Sequence, residues 1–554
     1  MAAVDGGEGG GVIPRSRMGL VVAASAAGTA FEWYDFFIFV PLATIISKTF
    51  FSGLNDAAAY VFALLAFGAG FAFRPLGALI FGRVGDRLGR KATFLITILL
   101  MGAATFLIGF LPTYGQVGII APVLFIALRL AQGLALGGEW GGAAVYIAEH
   151  APAARRGYFT SWIGASAAFG LGGALIVTLA TRTVMGEPAF VAWGWRIPFW
   201  ASAGLLGVSI WIRLKLHESP LFQRLRDEGQ RSTRPYAESF GTWPNLKRVL
   251  VALFSMMVAQ GAVWYCAFFY AQSFLEKTIK IAPETVNTIL IAIVACSAPL
   301  YILFGWLSDR VGRKWVMTGG MILTTAALWP GFHIMTERGN PALAEASARA
   351  PVVVFADPAG CALQFDPVGK ARFTSACDIA KSVLTGAGVS YTNVAAAPGT
   401  LVSVKVGTAT VASADATGLP AAEAKAVKAR VEGALKAELK AAGYPDKADP
   451  ARTDAFGIFL VMLLFTVGAT ALYGPQAAAL TELFPTRVRY TALSLPYHIG
   501  TGWVGGFLPA TAYAMSVASG NIYFGLWYPI VATCLAITVS ILFLPETKGR
   551  DLSV

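Results

Sequence analysis

From Arg15 onward the chain alternates long apolar runs with short polar clusters, and each run has roughly the 20 residues a helix needs to cross a bilayer's hydrocarbon. The first follows Arg15 and Arg17 and continues past Phe31 to Ile46. That is too long for the apolar core of a cleavable signal, so it predicts an uncleaved span despite the small residues from Ala23 to Ala27. Five more runs lie near Ala57 to Phe81, Ala92 to Leu111, Gly118 to Ala148, Gly157 to Thr181 and Trp193 to Leu214. A polar stretch from Lys215 to Lys247, with Arg224, Arg226, Arg231, Arg234 and Pro235, separates these from six others. The second set runs from Arg248 to Leu275, Glu284 to Leu307, Lys314 to Met335, Phe456 to Leu480, Tyr490 to Val517 and Ile522 to Leu544. The pattern predicts an all-α polytopic membrane protein: a tail (1–17), a six-helix bundle (18–214), a linker (215–247), a second six-helix bundle (248–336 with 454–545) and a second tail (546–554).

One interval breaks the rhythm. Residues 337–453 are too many for an ordinary connection and predict a small α+β domain inserted into the second bundle. Pro351 to Phe355 and Leu401 to Val406 have strand character, the latter with Val402, Val404 and Val406 on one face and Gly407-Thr408 as a turn into a further strand. Pro420 opens a helix whose Val427, Val431, Leu435 and Leu439 form one apolar stripe, ending at Gly443.

Composition agrees with the membrane class: 56% hydrophobic and 13% charged, where soluble domains average about 25% charged. The net charge of +12 sits mostly in short loops, which is the positive-inside pattern and not a nucleic-acid face. Arg83, Arg87, Arg90, Lys91, Arg155, Arg156, the linker, Arg310, Arg313, Lys314, Arg487, Arg489, Lys548 and Arg550 all fall on one side. Both termini are therefore expected in the cytoplasm and the insert outside it. There Cys361 and Cys377 would face an oxidising compartment, and a disulfide between them is expected to contribute about 3 kcal/mol. Cys266, Cys296 and Cys534 stand singly in apolar runs, and no ligand set for a metal or loop for a cofactor is present in the sequence.

The decisive feature is a repeat. Gly82-Arg83-Val84-Gly85-Asp86-Arg87-Leu88-Gly89-Arg90-Lys91 follows the second run, and Gly305-Trp306-Leu307-Ser308-Asp309-Arg310-Val311-Gly312-Arg313-Lys314 follows the eighth, with Gly, Asp, Arg, Gly, Arg and Lys at matching offsets. Two related halves of this kind are a common transporter architecture. The repeat resembles the signature loop of the major facilitator superfamily, and what the resemblance implies is a conformational latch built from Gly82, Asp86, Arg87, Gly89, Arg90, Asp309, Arg310, Gly312 and Arg313. Gly28 to Phe36, Phe73 to Gly77, Arg129 to Gly133, Gly137 to Gly142, Glu482 to Pro485 and Gly505-Gly506 are similar to the metabolite:proton symporter branch, which imports organic acids and betaines. The insert departs from that branch. Tags such as Glu218-Ser219-Pro220 and Pro545 to Gly549 are shared with sugar porters and do not discriminate.

Ionisable residues inside spans are costly and mark function. Asp35 is the first candidate for proton coupling, with Glu32 one turn away and Glu139 in the fourth span; the bland alternative is that these carboxylates pair permanently with Arg74 or Arg129. Arg129 and Arg74 suggest an anionic substrate, and Gln260, Tyr265, Tyr270, Tyr473, Gln476, Tyr497 and His498 are candidate substrate contacts from the second half. The expected protein is a monomeric inner-membrane secondary transporter in contact with lipid, moving a small polar metabolite with protons. The rival expectations are an uncoupled facilitator or exchanger and a nutrient receptor sensing through the insert. No nucleophile with an oriented base appears, which argues against an enzyme.

Overall fold

The computed structural model describes residues 15–52, 56–214, 234–361 and 374–552, with 223, 227, 228 and 232 between them. The tail before Arg15 and linker residues Arg224, Arg226 and Arg231 lie outside the described residues. Among those described, eight helices are long and apolar enough to cross a membrane. A ninth crossing is the pair Val21–Phe37 and Pro41–Phe50, which meet at 44°. Pro41 has no N–H to offer the preceding turn, which accounts for a bend there. Three further long helical stretches complete twelve: Asp56–Leu88, Arg313–Gly339, and the run made of Arg489–His498, Ile499–Gly505 and Leu508–Ser519. They carry much of the charge used below, including Arg74, Asp86, Arg313 and Arg489.

The two halves meet where the second span, Asp56–Leu88, packs on the eleventh, and where the fifth, Arg156–Met185, packs on the eighth, Pro283–Val311. Within each half small residues bring backbones together. A Cβ on Gly133 of the fourth span, Ile120–His150, would lie 1.9 Å from the Gly70 carbonyl oxygen of the second. In the second half a Cβ on Gly261 of the seventh span, Trp243–Thr278, would lie 2.2 Å from the Gly500 carbonyl of the eleventh. Both of those second-half spans contain π-helical turns, at Leu253–Met257, Cys266–Tyr270, Phe274–Thr278 and Ile499–Gly505. Such turns widen a helix by one residue and recur at functional sites.

The insert is a four-stranded sheet in the order β2-β1-β3-β4: β1 Val352–Ala356, β2 Tyr391–Ala395, β3 Ser403–Val406 and β4 Ala409–Ala412. β1 and β2 are parallel, joined through the helix Ala376–Gly386, while β3 runs antiparallel to β1 and to β4. The helix Ala421–Ala441 buries Val431, Leu435 and Leu439 beside the sheet. Cys361 and Cys377 are joined, with Cα atoms 5.3 Å apart. The domain is tied to the end of the second bundle opposite the signature loops. The Tyr391 N–H donates to the Gly520 carbonyl at 2.7 Å, the Ala448 N–H to the Lys280 carbonyl at 3.1 Å and Asn340 to the Ile279 carbonyl at 3.0 Å.

Candidate functional site

Between the halves the structure gathers a buried polar cluster around Arg74 of the second span. Its guanidinium lies 5.1 to 5.6 Å from the ring centroids of Trp33, Phe36 and Phe71, joins no ion pair among the described residues, and has the Tyr265 hydroxyl within hydrogen-bonding reach. Tyr265, Tyr473, Tyr497 and His498 of the second half lie within electrostatic reach of it. The rings are chained together. Trp140 of the first half stacks on Tyr497 with centroids 3.6 Å apart and donates its N–H to the Tyr473 hydroxyl at 3.0 Å, which is itself 3.0 Å from the Tyr497 hydroxyl. Trp264 donates to the Tyr301 hydroxyl at 2.7 Å, and the Tyr301 ring meets Tyr473 edge-on. Among the described residues the side-chain amide of Gln476 and the Gln260 oxygen are buried without hydrogen bonds, and the His498 ring has the Gly137 backbone within hydrogen-bonding reach. A buried polar group is normally bonded, so this concentration is unusual for a protein interior.

Two expected members stand apart. Tyr270 points toward the insert end of the bundle, its hydroxyl 3.4 Å from that of Ser516. Arg129 faces inward in the first half, donating to Gln132 at 2.7 Å and to the Phe36 carbonyl at 3.4 Å, and its guanidinium stacks on Phe36 and Phe39.

The carboxylates divide as well. Asp35 is 5% exposed, joins no salt bridge among the described residues, and has an Oδ1 without a donor. Glu32 and Glu139 pair with neither Arg74 nor Arg129; both bind Arg213, near the end of the sixth span, Ile197–Leu214. Sequence reasoning passed over Arg213 because a basic residue at the cytoplasmic end of a span has a ready explanation in charge bias.

At the other end of the spans the signature loops form a symmetric latch. Gly89 and Gly312 take φ of 109° and 120°, a conformation that favours glycine, and let each loop turn sharply into the next helix. Asp86 Oδ2 accepts from the Thr491 N–H at 3.0 Å and from its hydroxyl at 2.7 Å, at the start of the eleventh span. Asp309 accepts from the Gly157 and Tyr158 N–H groups at 2.9 and 2.8 Å, at the start of the fifth. Each aspartate thus meets the positive end of a helix in the opposite half. Arg313 holds Asp309 at 2.7 Å and Glu482 at 3.3 Å, and Arg310 lies over the Trp306 ring at 4.0 Å. Arg87 carries the same position in the first copy, and the Arg90 side chain lies outside what the structure describes.

A second internal repeat escaped the sequence reading: Glu149 and Arg156, like Glu482 and Arg489, are separated by the same interval. These four cross-pair between halves, Arg156 with Glu482 at 2.8 Å and Arg489 with Glu149 at 3.2 Å. The C-terminal tail closes over them: the Arg550 carbonyl accepts from Arg156 and the Leu552 carbonyl from Arg489, each at 3.0 Å.

Comparison with known proteins places this geometry. The family model described as "Sugar (and other) transporter" matches residues 20–242 and 442–554. The proline/betaine transporter of Salmonella typhimurium is 33% identical over 335 residues, 58% of this chain and 66% of that one, so the chain spans just under two thirds of that relative. The shikimate transporter of Escherichia coli K12 is 33% identical over 327 residues, covering 58% and 74%. The inner membrane metabolite transport protein YhjE of the same strain is 34% identical over 341 residues, covering 60% and 76%. Among solved structures, the major facilitator superfamily proton:xylose symporter XylE bound to 6-bromo-6-deoxy-D-glucose superposes with a TM-score of 0.65 at 16% identity, covering 97% of this chain and 98% of that one, which shows a shared fold. With the family model matching well over half of its residues, this chain belongs to the sugar (and other) transporter family, and it is a multi-pass membrane protein that shares the fold of a major facilitator superfamily structure.

Proposed function

We propose that this chain imports a small carboxylate-bearing metabolite, an organic acid or a zwitterion, by proton symport through alternating access. The observation that carries the reading is Arg74: a guanidinium buried between the halves with no protein anion opposite it among the described residues. An arginine so placed is a bidentate docking point for a carboxylate. Tyr265, Tyr473, Tyr497, His498, Gln260 and Gln476 supply polar groups around the rest of the solute, and Trp140 and Tyr497 an aromatic wall. Relatives named for proline, betaine and shikimate, all carboxylates, support this class without choosing within it.

In this reading Asp35 carries the coupled proton, because it is the buried carboxylate of the first span with no cation paired to it among the described residues. The latch is the cytoplasmic gate, closed here, with both termini on that side; the insert lies outside the cell membrane, where its disulfide would persist. The default assembly is a monomer in lipid.

The test is uptake into proteoliposomes of labelled dicarboxylates, tricarboxylates, cyclic hydroxy acids and betaines, with an inward proton gradient and after an ionophore collapses it. Accumulation that vanishes with the gradient is expected, with Asp35→Asn losing accumulation while keeping counterflow exchange. Equilibration indifferent to the gradient would replace symport by facilitated diffusion or exchange. Binding to the insert with no flux of any solute would favour a receptor.

A further inference from the structure

Three ionisable side chains of the first bundle meet in one pocket that the substrate site does not use. Glu32 of the first span, Glu139 of the fourth and Arg213 of the sixth have side chains 2%, 1% and 4% exposed. Arg213 Nη2 donates to Glu32 Oε1 at 3.2 Å and also to Glu139 Oε1. The Thr97 hydroxyl donates to Glu139 Oε2 at 2.7 Å, whereas Glu32 Oε2 has no donor. Both carboxylates accept from the same Arg213 nitrogen, which sets them side by side. Room for the cation comes from Gly28, where a Cβ would lie 2.6 Å from Arg213 Nη2, and Phe94 stacks against the guanidinium at 4.8 Å.

The argument is a charge count in a dry place. Two carboxylates and one guanidinium leave one negative charge uncompensated, and a buried uncompensated charge costs several kcal/mol. The other charged or titratable groups facing the pocket do not cancel it. Asp35, one turn along the first span, is acidic, and the Tyr490 hydroxyl of the eleventh span is committed to the Gly138 carbonyl. Lys91 of the third span is turned to the Leu214 carbonyl, Arg129 of the fourth to Gln132 and Phe36, and Arg74 of the second lies across the Trp33 ring. One proton removes the deficit, and Glu32, whose Oε2 has no donor among the described residues and whose carboxyl shares an Arg213 nitrogen with Glu139, is where it fits.

We propose that Arg213 is a positioning residue that holds Glu32 and Glu139 as a pair sharing a single proton, the Glu32 O–H donating to the Glu139 carboxylate, separate from Asp35. The pair is shut off from the signature-loop face by Tyr490, whose hydroxyl donates to the Gly138 carbonyl and whose ring packs against Gly85, Gly141 and Gly142. A proton held there is released only when the eleventh span withdraws. This place in the transport cycle rests on the proton-coupled reading above; the shared proton itself does not.

The experiment is infrared spectroscopy of the full-length protein in phospholipid vesicles without solute, following the protonated-carboxyl stretch at neutral pH in an Asp35→Asn background so that only this pair is read. The signal is expected in that background and lost in both Glu32→Gln and Glu139→Gln, because the remaining carboxylate then ionises against Arg213. It should grow to about twice its intensity in Arg213→Gln, where both carboxyls protonate, and stay unchanged in Arg213→Lys. A merely structural ion pair, with both carboxylates ionised, predicts no protonated signal to lose in either glutamate variant. A signal indifferent to all three Gln variants overturns the proposal, and the two glutamate variants decide it even if Arg213→Gln does not fold. Uptake that ignores the proton gradient would sink the symport reading and leave this result standing.

Discussion

A buried guanidinium with no carboxylate opposite it is half of an ion pair, and at Arg74, which pairs with no carboxylate among the described residues, the proposed other half is the solute. Arg74→Lys keeps the charge but loses the planar fork. At about 1.5–3 kcal/mol for a charged hydrogen bond, it is expected to raise the half-saturating solute concentration by about 10- to 100-fold, read from uptake kinetics. An unchanged half-saturation would remove Arg74 from the site. Asp35, Arg74, Arg129 and Glu139 were legible in the sequence because a charge in the middle of an apolar run has no bland explanation. Arg213 was not, since its position at a span end does. Nor could spacing separate Tyr265 from Tyr270. The two lie five residues apart along the seventh span, at different depths, and the sequence alone does not say which depth is level with Arg74 and which with the insert.

At the scale of elements, the contact between the seventh and eleventh spans is backbone against backbone, which leaves no flexible side chain to yield. Gly261→Ala puts a methyl 2.2 Å from the Gly500 carbonyl and is expected to cost about 1–3 kcal/mol. Thermal unfolding of the detergent-solubilised protein followed by tryptophan fluorescence should show a lower midpoint; no shift would mean that the two spans part freely. The insert is a second element with its own stability. Cys361→Ser opens a short loop and should cost that domain about 3 kcal/mol, seen as faster proteolysis within 341–450 while the bundle's unfolding midpoint stays put. Hydropathy made the spans readable, and β1, β3 and the helix Ala421–Ala441 were readable from valine alternation and the leucine stripe. β2 was not, because it is an edge strand with only Tyr391 buried, so its sequence carries no alternation to detect.

For the molecule as a whole the informative fact is that the latch is built twice, and that each copy crosses from one half to the other. Asp86 sits at the N-terminus of the eleventh span and Asp309 at that of the fifth, and the Glu149–Arg489 and Glu482–Arg156 pairs repeat the symmetry. If the halves rock as rigid bodies, all four contacts bias one equilibrium, between this face closed and this face open. Asp86→Asn and Asp309→Asn each keep an acceptor oxygen but lose the charge facing a helix terminus, a loss of about 0.3–1 kcal/mol. Each should therefore move the closed-to-open ratio by a factor of about 2 to 5, and in the double variant the factors should multiply, although the two sites share no residue. A cysteine introduced at Gly82, which packs against Thr491 when the face is closed, reports that ratio through its rate of alkylation by a membrane-impermeant reagent in inside-out vesicles. Multiplying rates would establish one global transition governed from both latches. Rates that respond to Asp86→Asn alone would show that the copies open independently and that the symmetry of the fold is not a symmetry of the motion.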